Sequence, residues 1–309
     1  MNLRISRLGR LRLDGAVAAQ VIFLAGLGIL LFLGWRNLQS NLQRAGLGLQ
    51  FDFLTSQASF AIRERTIPYE PTDSYLLALA VGVLNSLKVI AIAIVSATGI
   101  GAAVGMARLT PHWLVQQMAR VYTELFLNTP LLLQLFFWYV AIFLPLPTVP
   151  QGAFGGLWQY SNQGIAIPWL GVAFSSEFLA LSLGLSTFSS VFVAELVRGS
   201  VLAISQGQWE AGLSLGLNRW QVLRLVVLPQ AWRILIPPLT NQYLNIIKNS
   251  SLAIAVGYED VYAIASTTIN QTGRPVNVIV ILMGIYLVLC LTVAWGMGEL
   301  NRRVQLVER

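Results

Sequence analysis

Charged and amide side chains are scarce in this sequence, so those that recur at regular spacing carry information. Glu210, with Gln208 and Ala211 beside it, lies in a polar stretch, residues 205–229, between two apolar runs. A carboxylate in such a place can pair with a cationic or hydrogen-bond-donating group on another protein. Asn241, Asn245 and Lys248 recur at helical spacing, with Asn249 next to them. Amides accept a carboxylate or an ammonium without charge preference, and an ammonium suits a carboxylate. His112 is the single histidine and has no Cys, Asp or Glu beside it at ligand spacing, so it reads as a solvated side chain. Cys290 is the single cysteine and lies in an apolar run, which excludes a disulfide within the chain. No GxxxxGK[ST] loop is present, so the chain does not bind ATP by that route. No catalytic residue, metal site or cofactor is expected.

The element that must hold Glu210 is legible in outline. Ser205 with Gln208 is a capping-box pattern, and so is Asn218 with Gln221. Trp209 and Leu213 fall on one helical face and Glu210 on another. Gly212 and Gly216 weaken the first helix and permit a turn. Pro229 is expected to stop the second helix, because the residue before proline avoids the α region. The pattern predicts a short, basic, amphipathic helix–turn–helix against a membrane surface. A pure membrane span has no use for such an element, whereas a protein that grips a soluble partner does.

The remainder is a membrane protein by composition. Of 309 residues, 56% are hydrophobic and 11% charged, with a mean hydropathy of +0.67. A soluble chain would carry about a quarter charged residues. The fold class is therefore all-α, a polytopic membrane protein with about six transmembrane helices. Apolar runs at 15–34, 75–107, 122–144, 177–199, 231–257 and 276–295 are the expected spans. The first is long for a cleaved signal peptide, and no convincing cleavage site follows Trp35. Residues 36–74 read as an ordered external loop with an amphipathic part on the membrane surface. Residues 108–120 read as a connection, and 145–176 as an external loop anchored by Trp158 and Trp169. Pro130 is expected to kink its span, and Pro237-Pro238 to interrupt theirs. Lys88 either snorkels to headgroups or lines a path. The serines of 177–199, Ser186 among them, either pack helices or meet substrate.

Orientation follows from counting. In this layout 13 of the 20 Lys and Arg fall on one side, from Arg4, Arg7, Arg10 and Arg12 to Arg302, Arg303 and Arg309. On the other side five cations face seven acids. The positive-inside rule then places both termini, and Glu210, in the cytoplasm.

Several spaced elements together resemble a known family. Gly207-Gln208-Trp209-Glu210-Ala211, Leu215-Gly216-Leu217 and Leu228-Pro229-Gln230-Ala231 resemble the coupling loop of ABC importer permeases of the polar amino-acid type. Asn128-Thr129-Pro130-Leu131-Leu132, Val193-Ala194-Glu195 through Arg198-Gly199, and Lys248 through Leu252 resemble further elements of that family. Leu127 departs from it, since an arginine usually stands there. The resemblance implies a type I ABC importer permease fold over 75–309, with 1–74 adding a cytoplasmic segment, a first helix and an external insertion. That insertion is similar to the general or acidic L-amino-acid branch. The implied function is half of a translocation path in a bacterial inner membrane, multi-pass. The implied partners are ATP-binding ABC subunits, a second similar permease in a heterodimer, an extracytoplasmic substrate-binding protein, an amino acid and membrane lipid, with no nucleic acid. Gln208, Glu210, Ala211 and Gly216 would couple to the ATPase. Asn85, Ser186, Glu195, Asn241, Asn245 and Lys248 are the candidate substrate pathway. An ion-gradient-driven secondary transporter of a small polar solute is the alternative; it would favour inverted repeats and buried midplane acids.

Overall fold

A computed structural model describes residues 15–44, 48, 50–153 and 156–305. The arginine-rich segment 1–13 and Arg309 lie outside the described residues. Helix α1 (Gly15–Arg44) belongs to a unit of its own, residues 1–50, and buries none of its apolar window. It continues past Gly34, where a loop was expected, because Trp35 to Arg44 contains neither glycine nor proline. Residues 51–309 form the second unit.

The centre of the second unit is the pairing of α2 (Tyr75–Ala107) with α5 (Ser176–Leu202). Ser74 and Ser175 start these helices, their side chains accepting from the N–H groups of Leu77 and Phe178. The two helices run parallel. Lys88 lies over Phe178, Gly101 touches Ser190 and Val193, and Gly105 touches Ala194 and Val197. A β-carbon on Gly101 would lie 2.5 Å from Val193 Cβ and 2.7 Å from the Ser190 carbonyl oxygen. Glycine is what lets these backbones approach, which is how helices associate where lipid offers no hydrophobic drive. Val89, Ala93, Ala97, Leu181 and Leu185 continue the seam, with Ile246 of α8 (Leu228–Asn249) closing it. The serine-rich face of α5 is thus largely packing. Ser186, Ser189 and Ser190 are buried, and Ser190 shares a 2.8 Å hydrogen bond with Tyr122.

Five described helices are long and apolar enough to span, or six if one bent pair is a single span. That pair is α3 (Trp113–Leu127) and α4 (Leu131–Phe136, running on as a π turn to Phe143), bent by 102°. The break is far sharper than the expected kink at Pro130, and α3 begins inside the expected connection. Gln134 holds it. Its Nε2 donates to the carbonyls of Phe126 at 2.9 Å and Thr129 at 3.0 Å, satisfying groups the break leaves open. Pro237 and Pro238, by contrast, do not interrupt α8, which stays helical through both.

Two further segments depart from expectation. Residues 145–175 hold a four-stranded antiparallel sheet of β1 (Gln151–Ala153), β2 (Trp158–Ser161), β3 (Gly164–Ile167) and β4 (Val172–Ser175). Strands this short are hard to see in a sequence dominated by spans. Residues 51–74 are ordered, as expected, and Phe53 and Tyr69 are buried against the helices while Phe51 stands exposed. Phe53, Ile62 and Tyr69 pack on Tyr75 and Leu79 of α2, on Ile264 of α9 (Val261–Thr272) and on Val278 of α10 (Pro275–Val304).

Asp260 opens α9, its Oδ1 accepting from the Ala263 N–H at 2.8 Å while Oδ2 is buried without a partner. Burial raises its pKa from 3.8 to about 7. Between about pH 4 and 7 the folded chain keeps a proton that the unfolded chain has released, so this group's contribution to stability is full below the window and lost through it. Asp260→Asn keeps the cap and removes the titration. Its stability relative to wild type, measured by thermal unfolding in detergent, is expected to be higher at about pH 8 than at about pH 4; an offset independent of pH would contradict this. In the same assay Gly101→Leu is expected to cost about 1–3 kcal/mol or more, while Gly99→Ala, with nothing within 4 Å, changes little. Equal stability of the two variants would contradict the close α2–α5 contact.

Candidate functional site

The polar stretch folds as two short helices, α6 (Gln206–Ser214) and α7 (Arg219–Val222), hung below the end of α5. Ser205 stands at the N-cap of α6 without a side-chain cap bond, so the expected capping box does not form. Gln208 instead accepts from Gln230 Nε2 at 3.2 Å. Tertiary contacts hold the helix in the cap's place, with Trp209 packing on the cluster of Val201, Val222, Val227 and Ala231. The second capping box is present, with both Asn218–Gln221 bonds at 2.9 Å. Gly216 has φ +83 and open space around it, so the turn requires the left-handed conformation rather than room.

Pro229 does not end the second helix. A π turn, Leu223–Val227, leads directly into α8, and the Leu228 N–H reaches back to the Leu223 carbonyl. Gln230 Nε2 bonds the Val226 carbonyl at 2.9 Å. The widened turn and this side chain supply bonds where proline cannot, and proline is tolerated in a first turn.

Gln208, Glu210, Ala211 and Gly216 are all exposed on this element. Glu210 makes no hydrogen bond or ion pair among the described residues, and Leu213, Leu215 and Trp220 stand exposed beside it. Trp209 and Leu213, expected on one face, part company: Trp209 packs inward and Leu213 faces out. Between α6, α7 and the ends of α2 and α5 opens a cavity of about 750 Å³, walled by Met106, Leu109, Trp209 and Trp220 among others. Glu195 lies at this same end, paired with Arg108 and, at 3.2 Å, with Arg198.

Asn241, Asn245 and Lys248 share the exposed face of α8, while Gln242, Ile246 and Ile247 are buried behind them. The structure therefore brings these three together as one stripe. It does not bring Asn85 to them. Asn85 is wholly buried; its Nδ2 donates to the carbonyls of Glu64 at 2.8 Å and Glu259 at 2.9 Å, and its Oδ1 accepts from Thr66 at 2.9 Å. With those groups engaged, Asn85 ties segments together and does not line a path. Ser186 is likewise buried, in α5.

Lys88 neither snorkels nor stands free. Its Nζ pairs with Glu64 Oε1 at 2.8 Å and sits 4.4 Å from the Phe178 ring centre. It belongs to a charged junction at the end of α5 remote from α6. There Glu259 accepts from the N–H groups of Arg63 at 2.5 Å and Glu64 at 3.0 Å, and Glu177 faces Arg63 at 3.4 Å. Sequence reading missed this junction. Its signal was the Arg63-Glu64-Arg65 run, whose partners Glu177 and Glu259 lie more than a hundred positions away.

The family described as "Binding-protein-dependent transport system inner membrane component" matches residues 97–305. The chain is 35% identical to the putative amino-acid ABC transporter permease protein YhdX of Escherichia coli (strain K12), over 93% of each chain. It is 32% identical to the general L-amino acid transport system permease protein AapQ of Rhizobium johnstonii, over 90% of each. Among solved structures, an amino acid ABC transporter crystallised with histidines matches with a TM-score of 0.59 at 26% identity, covering 74% of this chain and 95% of that one. The MetNI methionine ABC transporter shares the fold, with a TM-score of 0.57 at 18% identity over 77% of this chain and 100% of that one. The chain belongs to the inner-membrane permease family of binding-protein-dependent ABC transport systems.

Proposed function

We propose that this chain is one permease subunit of an ATP-driven amino-acid importer and that α6 is its coupling helix. The observation that carries the coupling role is Glu210. It is a carboxylate without a partner among the described residues, on a helix whose position is fixed by Trp209 packing inward. Such a group is arranged for a contact outside the chain. The amino-acid substrate is supported by the names of the relatives and by the resemblance of the insertion at 36–74 to the general or acidic L-amino-acid branch. The ion-gradient alternative is not supported, since these relatives are ABC permeases.

The two ends of α5 differ in charge, which supports the orientation. Arg108, Arg120, Arg198, Arg219 and Arg224 lie at the α6 end beside Glu195 and Glu210, whereas Arg63, Arg65 and Arg274 at the other end lie among Asp52, Glu64, Glu177 and Glu259. By the positive-inside rule the α6 end faces the cytoplasm, where ATP-binding subunits dock. A binding protein then meets the opposite end. The stripe of Asn241, Asn245 and Lys248 faces away from this chain's core, toward a second permease, so the pathway lies between two subunits. The resemblance to the insertion-bearing branch favours an unlike second permease.

Removing one partner of a buried, hydrogen-bonded charge costs about 2–5 kcal/mol. Glu210→Ala is therefore expected to leave membrane insertion intact while uptake into vesicles and co-purification of the ATP-binding subunits both fall sharply. Gly216→Val, which forces a β-branched residue to φ +83, is expected to do the same. Normal uptake and normal retention in both variants would refute the coupling role.

A further inference from the structure

The charged junction at the far end of α5 surrounds a half-open cavity of about 60 Å³, lined by Arg63, Glu64, Ser175, Glu177, Tyr258 and Glu259 together with Gly257. We propose that this cavity is an acceptor site for the α-ammonium and α-carboxylate of an amino acid, separate from the polar stripe of α8. The inference rests on the amino-acid reading above.

Two kinds of contact meet here. Part of the junction is rigid. Glu259 is fixed by the two backbone N–H groups of residues 63 and 64, and Asn85 clamps the same backbone to residue 259. Lys88 fixes Glu64 at 2.8 Å. The other part is slack. Arg63 reaches Glu177 only at 3.4 Å, with 61% of its side chain exposed, and Tyr139 donates to the same Glu177 oxygen at 3.3 Å. Charge-assisted bonds that are fully made run about 2.7–2.9 Å. A slack ion pair at the mouth of a rigid cavity can release its members to a ligand at little cost.

Charge and size select the ligand. Arg63 and Lys88 face three carboxylates, Glu64, Glu177 and Glu259, which leaves one negative charge uncompensated. Arg65 does not correct the balance, because it turns away to the Tyr69 carbonyl. An ammonium group can take the place of the Arg63 guanidinium against Glu177, and the excess negative charge favours its approach. The freed Arg63 guanidinium then offers a planar fork to a carboxylate. A zwitterion satisfies both demands at once. A half-open cavity of about 60 Å³ cannot enclose a whole amino acid. The side chain would remain outside the opening. The site would read what all amino acids share and so accept cargo without selecting it.

The test is vesicle uptake by the complete importer, with its binding protein, across alanine, glutamate, glutamine and arginine. Arg63→Ala and Glu177→Gln are each expected to lower uptake about tenfold for every amino acid alike, with the ATP-binding subunits still retained. The charge-swapped pair, Arg63→Glu with Glu177→Arg, separates ligand binding from a structural latch. It keeps the pair's mutual attraction while moving the cation off the insertion, so uptake is expected to stay low. Recovery on swapping would overturn the proposal, as would normal uptake in both single variants or a loss confined to one class of side chain. If wild type moves none of the four amino acids, the amino-acid reading itself falls and this inference with it.

Discussion

The close contact of α2 with α5 is the constraint on which the rest depends. It is made where Gly101 and Gly105 admit Val193, Ala194 and Val197, and no side chain larger than hydrogen fits. Lipid supplies no hydrophobic drive for two apolar helices to associate, so packing this tight must supply it. Because the helices run parallel, the same seam positions both ends of the molecule. At one end α5 delivers α6 and its exposed carboxylate. At the other it presents Glu177 to Arg63. A helix of this length, Ser176–Leu202, crosses a bilayer as one stiff body. A push on α6 would therefore be felt at the junction as a rigid displacement rather than absorbed along the way.

Around that seam the chain meets the demand that backbone polar groups be satisfied in lipid. The sharp break between α3 and α4 is tolerated because Gln134 bonds carbonyls on the broken segment and accepts from Thr187 of α5 at 3.3 Å. The π turn before α8 is repaired by Gln230. In both places a glutamine stands where the main chain cannot serve itself. The exposed faces of α8 and α10 instead present polar and apolar stripes that this chain leaves uncovered.

Much of this was legible in the sequence, and the failures share a cause. The spans, the second capping box and the turn at Gly216 follow from local pattern, which a sequence displays directly. The expected effects of Pro229 and Pro237-Pro238 failed because a widened turn and continued packing outweighed proline's local preference. Ser205 has the right spacing for a cap, yet tertiary contacts to Trp209 and Gln208 decided the helix start. Asn85 was a candidate for the substrate path; the residues that consume its hydrogen bonds come from 64, 66 and 259. The junction of Arg63, Lys88, Glu177 and Glu259 was invisible for the same reason. Its parts are distant in sequence, and only the fold brings them together.

The central claim is that α6 is the surface through which ATP hydrolysis reaches this chain. A photoactivatable benzophenone at position 213, exposed on α6 but not itself Glu210, tests it directly in the assembled complex. The account predicts a cross-link from position 213 to an ATP-binding subunit and none from the same group at position 158, in the sheet between α4 and α5. No cross-link from position 213, or a cross-link to an ATP-binding subunit from position 158, would contradict it.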